Sequence, residues 1–460
     1  MNFFLILLGK LVLFFSRTLN LGSGSTWPGH IAMEANPRFV RDILKKNSDL
    51  KIVIVAGTNG KTTTSLMLQK ILEETNLKVF RNEAGANLLN GIASSIIANT
   101  NLTGRLNFDV AIFEVDEKNV GPAIEETKPY AIALLNIFRD QLDRYGEVNK
   151  VLKDWKTALS RLILKTGLNQ GSTLLFTNGD DPALSYLAKK SKLKTFLFGI
   201  NEKLMTRDKI EHDVDFIYCP NCQTKLDYKK ISFSHMGDFI CLKCKFKRKN
   251  IEQIKLTHHP LFGKYNIYNA NAAALVASKS FDIPFKKIQE ALRHFKPAFG
   301  RQEIIKYKSR NVLVLLSKNP AGFNQSISTL SDFIHPRGAG TFPPRGCNIL
   351  LVLNDRIPDG RDVSWIWDVD FENLPKDAKI FISGDRAYDM AIRIKYSDLE
   401  TQNSKLKTQN HNPNAQIFEN LNTAIGEAVE QTKNNEVLFI LPTYSAMLET
   451  RKILTGRSIL

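Results

Sequence analysis

Short apolar runs alternate along most of the chain with stretches whose apolar positions recur at helical spacing. Lys51-Ile-Val-Ile-Val55 reads as a strand buried on both faces, and Leu66 to Leu72, beyond a Gly-rich turn, reads as a helix. Further strand patterns fall at Val110 to Glu114, Ala131 to Asn136, Thr173 to Thr177 and Thr195 to Phe198, with helical stretches between them. This alternation predicts a doubly wound α/β domain with a mostly parallel sheet over residues 46–300. Between Glu211 and Asn250 the pattern breaks into a polar, Lys-rich stretch, expected to be an inserted module. Strand patterns resume after Arg301, at Val312 to Leu316, Ile349 to Leu353, Ile380 to Ser383 and Val437 to Leu441, and predict a second α/β domain over residues 301–460. The Pro- and Gly-rich stretch His335 to Arg345 and the polar stretch Ser397 to Asn414 read as loops, and no internal repeat is visible.

Residues 1–45 form an N-terminal helical segment. Its start, Met1 to Phe15, is apolar apart from Lys10 and is followed by Ser16-Arg17. It falls short of the ~20 residues that span a bilayer, and it lacks the basic leader and small-residue cleavage site of a secretory signal. It is expected to be a retained helix, either packed on the body or lying at a membrane surface, with packing the favoured reading. The expected location is the cytoplasm, with a peripheral position at the inner face of the membrane as the further option.

Composition adds little. With 460 residues, 43% of them hydrophobic, the chain can bury a large core, and its length suggests roughly three domains. A net charge of +17 suits anionic partners such as nucleotide phosphates, nucleic acid, an anionic membrane or a pyrophosphate-bearing substrate, and equally suits a Lys-rich surface with no partner.

The strongest chemical signal is Gly57-Thr-Asn-Gly-Lys-Thr-Thr63 at a strand-to-helix junction. Glycines let backbone N–H groups approach phosphate oxygens, and a helix N-terminus favours negative charge. Lys61 can reach the β- and γ-phosphates, and the Thr62 hydroxyl can ligate Mg²⁺. The loop is shortened: Val55 stands where the ordinary phosphate loop has its first glycine.

A second signal comes from cysteines. Cys219-Pro-Asn-Cys222 and Cys241-Leu-Lys-Cys244 are two knuckles separated by 18 residues. Four thiolates in this pattern suit a closed, tetrahedral, structural Zn²⁺ site of the ribbon type, spanning about residues 211–250. The basic run Lys243 to Lys249 lacks an interleaved stacking pattern, so it reads as a solvated rim and not as a nucleic-acid site. Cys347 reads as a loop or strand-edge thiol.

Ala56 to Thr63 resembles the ATP loop of the Mur ligases and the related folylpolyglutamate synthases, and five more segments resemble that family in its order. Phe113-Glu-Val-Asp116 resembles the strand end that carries its Mg²⁺-binding glutamate, which implies Glu114 as a ligand. Asn136 to Gly146 resembles its Asn-x-x-x-Asp-His-Leu-Asp segment, with Gln141 in the His place. Asn178-Gly-Asp-Asp-Pro182 resembles the Asn-x-Asp-Asp turn. Gly263-Lys-Tyr-Asn-x-x-Asn269 resembles the adenine segment, with Tyr265 replacing His. Phe299-Gly-Arg-Gln-Glu303 resembles the hinge before the C-terminal domain.

The resemblance implies a central ATPase domain and a reaction in which ATP converts a carboxylate to an acyl phosphate that an amine then attacks. It implies nucleotide contacts from Gly57, Thr58, Asn59, Gly60, Lys61, Thr62 and Thr63 together with Asn266, Arg301 and Lys318. It also implies catalytic roles for Lys61 and Glu114, and Mg²⁺ held by Thr62 and Glu114. Leu316-Ser-Lys-Asn-Pro320 departs from the family where an Asp often contacts ribose. The family's carbamylated lysine has no clean counterpart, only Lys153 and Lys156 flanking Trp155.

Residues 1–45 are too few for the UDP-sugar domain of ordinary Mur ligases. Lys318-Asn-Pro-Ala-Gly-Phe-Asn324, Asp359 to Asp368 and Leu441 to Met447 resemble the MurT subfamily, the synthetase subunits of lipid II isoglutaminyl synthase. That resemblance implies amidation of the D-glutamate α-carboxylate of lipid II, and a GatD-type glutaminase partner that supplies ammonia. It further implies an Asp given in trans to the partner's Cys–His pair, with Asp355, Asp362 and Asp368 as candidates and Asp368 as the choice. The alternatives are a folylpolyglutamate-type or cyanophycin-type ligase adding an amino acid, and a non-catalytic nucleotide-binding protein whose zinc ribbon binds RNA.

Overall fold

The computed structural model describes residues 1–18, 26–82, 85–139, 148–166, 173–208, 210, 214–252, 254, 256–334, 347–375, 378–400, 415–434 and 436–457. Gln141 and the rest of the predicted Asp-Gln-Leu-Asp segment, and the loop His335 to Arg345, lie outside the described residues.

The first sheet has the order β2-β3-β1-β4-β5-β6 and is parallel throughout. Its strands are β1 Lys51–Ala56, β2 Val79–Arg81, β3 Val110–Val115, β4 Ala131–Leu134, β5 Leu174–Asn178 and β6 Thr195–Phe198. β1, β3 and β4 are almost wholly apolar because helices cover both faces, as parallel sheets require. β1 lies between β3 and β4, with Val55 opposite Glu114 and Ala56 opposite Leu134. The chain therefore leaves the sheet centre at Gly57 with strands running to either side, the switch point where open α/β sheets bind ligands.

The helices around this sheet are α1 Asn2–Thr18, α2 Trp27–Ala35, α3 Phe39–Lys45, α4 Lys61–Glu73, α5 Leu89–Asn99, α6 Val120–Thr127, α7 Val148–Thr166, α8 Pro182–Lys190, α9 Lys264–Phe281 and α10 Phe285–Arg293. α9 is alanine-rich, and Ala270, Ala272, Ala273, Ala274 and Ala277 are fully buried, which lets it approach α4 and the sheet closely. α8 starts on Asp181, whose carboxylate accepts from Ala183 N and Leu184 N ahead of a Pro at the first turn. α1 packs on α2 and α5, so the packed arrangement expected for it holds for one face; its other face is exposed.

The cysteine module is built on a hairpin of β7 Asp227–Phe233 and β8 Met236–Ile240. Its turn is driven into the first domain. His235 is fully buried 5.0 Å from the Phe138 ring and 5.4 Å from the Phe216 ring, with Nε2 3.5 Å from Asp181. Arg248 closes the module's exit by pairing with the buried Asp180 at 2.7 Å. Burial pushes the Asp180 carboxyl up, and the Arg248 charge opposes that shift.

The second sheet has the order β13-β12-β11-β14-β10-β9, with β9 antiparallel to β10 and the other pairs parallel. It comprises β9 Arg301–Tyr307, β10 Arg310–Leu315, β11 Asn348–Val352, β12 Lys379–Ser383, β13 Ala415–Ile417 and β14 Val437–Pro442, with helices α11 Pro320–Ile334, α12 Ala387–Glu400, α13 Leu421–Glu430 and α14 Tyr444–Thr455. The hinge Phe299–Glu303 leads into β9, which opens the second sheet by pairing with β10. One expectation needs correcting: Ser397 belongs to α12, so the loop expected from Ser397 does not begin there. Cys347 stands immediately before β11, a strand-edge thiol as expected, and is buried in the core of this sheet.

Candidate active site

The C-terminal edges of the two sheets face one cleft of about 340 Å³. From the first domain it is lined by Thr58 to Thr63, Asn87, Asp116, Asn136 and Asn266, and from the second by Lys318, Gln325 and Tyr444.

Gly60 takes φ +87°, and the Asn269 Oδ1 lies 2.2 Å from where a Cβ would sit, so any larger residue would displace the adenine segment. That segment forms the first turn of α9, where Asn269 Nδ2 donates to Asn266 Oδ1 at 3.0 Å and Asn266 Nδ2 donates to Phe262 O at 2.7 Å. Asn136 brackets the loop from β4: its Oδ1 accepts from Asn59 N at 2.8 Å and its Nδ2 donates to Asn59 O at 2.9 Å. Asn136 thus fixes the loop backbone, and the α4 N-terminus at Gly60, Lys61 and Thr62 lines the cleft, where it favours negative charge.

Lys61 Nζ donates to Gly57 O at 2.7 Å and lies 3.4 Å from Asp116 Oδ1. Thr62 Oγ1 donates to Glu114 Oε2 at 2.7 Å, and Arg81 Nη1 donates to Glu114 Oε1 at 3.0 Å. Arg301 is drawn below its ordinary range by burial, an effect opposed by the Glu114 charge. Arg81 and Arg301 therefore act on one fully buried carboxylate, Glu114, while Lys61 faces Asp116 and Glu117 at the same end of the cleft. Tyr265, in the place of the expected His, accepts from Gln302 Nε2 at 2.8 Å, and burial raises its pKa. Lys153 and Lys156 are exposed on α7, and Trp155 between them is buried and donates Nε1–H to Glu117 O at 2.8 Å. Neither lysine lines the cleft.

Sequence reasoning missed Arg81, Asp116, Asn319 and Tyr444. Asp116 had a usable signal, since it stands two residues beyond Glu114 at the same strand end. Asn319 and Tyr444 lie inside the segments Lys318 to Asn324 and Leu441 to Met447, which carried a resemblance but no role for either residue; Arg81 carried no signal.

The four cysteine sulfurs lie within 4.8 Å of one another. Cys219 and Cys244 are 3.6 Å apart and Cys222 and Cys241 3.5 Å, against about 3.8 Å for two ligands of a tetrahedron with 2.3 Å metal–sulfur bonds. A disulfide would need ~2 Å. The set therefore fits a four-thiolate metal site. Both knuckles use the same turn: Gln223 N donates to Cys219 O and Lys245 N to Cys241 O, with φ +61° and +56°. The hairpin between the knuckles carries Phe233 and Met236, which line the cleft, so the module forms part of the cleft wall.

The three acidic candidates differ. Asp355 accepts from Arg386 Nη1 at 3.2 Å. Asp362 accepts from Ser364 N at 2.8 Å, and the Ser364 hydrogen bonds hold its carboxyl below the ordinary range. Asp368, with a side chain 41% exposed, lies 3.6 Å from Arg139 Nη1, and Arg139 Nε in turn pairs with Asp215 at 2.6 Å. Asp359 is buried and accepts from Ser445 N at 2.8 Å, fixing the turn beside Tyr444.

Comparison with known proteins agrees with this geometry. The Mur ligase middle domain model matches residues 55–277, and the MurT ligase C-terminal model matches residues 316–447. The chain is 30% identical over 465 aligned residues to the lipid II isoglutaminyl synthase (glutamine-hydrolyzing) subunit MurT of Streptococcus pneumoniae, covering 95% of this chain and 94% of that protein. It is 30% identical over 402 residues to the corresponding subunit of Staphylococcus aureus strain COL, covering 82% and 84%. Among solved structures it resembles a pseudomurein peptide ligase type C from Methanothermus fervidus, with a TM-score of 0.59 and 22% identity over 91% of this chain and 81% of that one. It also resembles MurF from Thermotoga maritima in complex with ADP, with a TM-score of 0.57 and 15% identity over 93% and 85%. The chain is an ATP-dependent ligase by fold and relatives, and it belongs to the MurT family of the Mur ligases.

Proposed function

We propose that this chain is the synthetase subunit of a lipid II isoglutaminyl synthase, which uses ATP to amidate the D-glutamate α-carboxylate of the lipid II stem peptide to D-isoglutamine. The observation that carries the reading is the joint cleft, in which a phosphate loop and the strand-end Asp116 face Lys318 and Tyr444 of a MurT-type C-terminal segment. Residues 46–300 then act as the nucleotide-binding unit and residues 301–460 as the unit that closes on it.

Lys61 and Arg301 are placed to stabilise the charge that spreads over the γ-phosphoryl oxygens during transfer. Thr62 and Glu114 would hold Mg²⁺; their oxygens, 2.7 Å apart, match the about 3 Å expected of neighbouring ligands around that ion. When bound, the ion supplies further neutralisation of the phosphates. A carboxylate oxygen of the substrate attacks the γ-phosphorus and ADP leaves. Ammonia then attacks the acyl carbon, inorganic phosphate leaves, and the nitrogen sheds a proton.

Ammonia must come from elsewhere. A glutaminase needs an activated cysteine paired with a base, and here four cysteines are gathered in one cluster with metal-ligand spacing while the fifth is buried in the core. A GatD-type glutaminase subunit fills that need, with Asp368 offered to its imidazole. The four-cysteine cluster is assigned to structural Zn²⁺. The test is ATP-dependent amidation with purified chain, lipid II and ammonium chloride, read as amide product and phosphate release. ATP turnover that ignores lipid II would overturn the reading.

A further inference from the structure

Among the described residues nothing covers the outward face of α1, and its chemistry is that of a lipid interface. α1 is mostly apolar, with Lys10 the one charged residue between Asn2 and Ser16, and contains no acidic residue. Helices of this kind are normally enclosed on all sides. Here one side is seated firmly: Ile6 and Leu13 are buried, and a Cβ at Gly9 would come within 2.9 Å of Ile97 on α5. The opposite side, from Phe3 and Phe4 through Leu7, Leu8 and Leu11 to Phe14, is 37–70% exposed. Seventeen residues give a rod of about 25 Å, short of the ~30 Å bilayer core, and no described helix is long and apolar enough to cross a membrane.

We propose that this face of α1 lies in the surface of an anionic bilayer and holds the cleft over a lipid-borne acceptor. Charge complementarity selects this occupant. α1 itself carries Lys10 and no acid, and the exposed Lys46 lies beside Gly104 next to the buried Ile6, 3.9 and 3.8 Å from where its Cβ would be, so Lys45, Lys46 and Arg105 put positive charge along the seated edge of the helix. Trp27, 65% exposed, flanks the helix from α2, whose Pro28 is 3.4 Å from the same Gly9 position. Phe, Leu and Trp bordered by Lys and Arg suit the boundary between acyl chains and anionic headgroups. A second copy of this chain would bring identical cations together, which like-charge repulsion opposes. α5 links this face to the chemistry: Ile97, near its end, packs on α1, while Asn87 and Leu88 at its start line the cleft.

The proposal rests on the lipid-linked acceptor argued above, and the two can fail separately. The full chain is sedimented with vesicles of phosphatidylcholine alone or mixed with phosphatidylglycerol. Wild type should bind the anionic vesicles, and the triple variant Phe4→Glu/Leu8→Glu/Leu11→Glu should bind on the order of tenfold more weakly or less, because each change places an anion on the docking face. Amidation of a detergent-solubilised substrate should be unchanged in that variant. Should the triple variant lose helicity, Phe4→Glu alone repeats the test. Equal vesicle binding by wild type and variant, no binding to anionic vesicles, or a wild-type dimer that the variant converts to monomer would overturn the proposal. Loss of glutaminase co-purification in the variant would overturn it too, by assigning the face to a protein. Vesicle binding without amidation would leave the surface in place and remove the lipid II reading; amidation in detergent without vesicle binding would do the reverse.

Discussion

Asn59 in the phosphate loop and Asn319 at the start of α11 exchange amide hydrogen bonds across the cleft, Nδ2 to Oδ1 at 3.3 Å in one direction and 3.1 Å in the other. Asn136 clamps the Asn59 backbone, and Asn319 Oδ1 also accepts from Gly322 N at 2.8 Å. The pair therefore couples a rigid phosphate loop to the first turn of a C-terminal helix.

Asn319→Ala should lower turnover and stability together. It removes two interdomain bonds and a helix cap, each worth about 1 kcal/mol. Asn319→Asp keeps the acceptor for Gly322 N and for Asn59 Nδ2 and loses only the donor to Asn59. It should melt close to wild type and keep most activity. Equal loss in both variants, by thermal melting and phosphate release, would show that the donor to Asn59 alone matters and the cap contributes nothing.

Lys61→Ala should abolish amidation, with a loss on the order of 10²–10³-fold or more, because a cation aimed at the transferring phosphoryl group is removed. Its fold should survive, checked by circular dichroism. Glu114→Ala should be inactive as well, and added Mg²⁺ should restore little. Losing Glu114 removes the proposed ion ligand and also leaves Arg81 and Thr62 without their partner. A fully active Lys61→Ala enzyme would remove the phosphate-loop assignment.

Metal analysis should find about one zinc per chain, lost on replacing any of Cys219, Cys222, Cys241 or Cys244 with Ser. The variants should melt earlier. Because Phe233 and Met236 of the same hairpin line the cleft, the KM for ATP should rise along with the loss of stability. Zinc-free protein with wild-type melting in all four variants would sink the assignment.

Asp368→Asn should separate the two nitrogen donors. With ammonium the variant should still amidate lipid II, since carboxylate activation lies at the Lys61–Glu114 end of the cleft. With glutamine it should fail, by up to ~10⁴-fold, if its carboxylate orients the partner's imidazole. The substitution also weakens the contact with Arg139, but both side chains are over a third exposed, so that costs less than about 1 kcal/mol. Equal loss with both donors would reduce Asp368 to an interdomain contact. A split phenotype in Asp362→Asn or Asp355→Asn would move the role there.

Features encoded over a few neighbouring residues are legible in the amino-acid sequence alone. β1, the Gly57–Thr63 turn and α4 announce themselves because strand, glycines and helix are contiguous. The cysteine knuckles do so because each pair is a local turn. Every expected strand of both domains appears; the short or edge strands β2, β9 and β13 and the module hairpin are present without having been expected. Those lack long apolar runs, so pairing with a neighbour decides them.

Contacts between distant segments are decided only by the tertiary structure. Arg81 meets Glu114, Asn59 meets Asn319 and Asp359 meets Ser445 across 33, 260 and 86 residues. No local pattern marks such pairs, because each residue is unremarkable until folding brings its partner to it. α1 shows the same division. Its apolar composition follows from the residues alone, but with apolar residues on both of its sides only docking on α2 and α5 decides which side stays exposed.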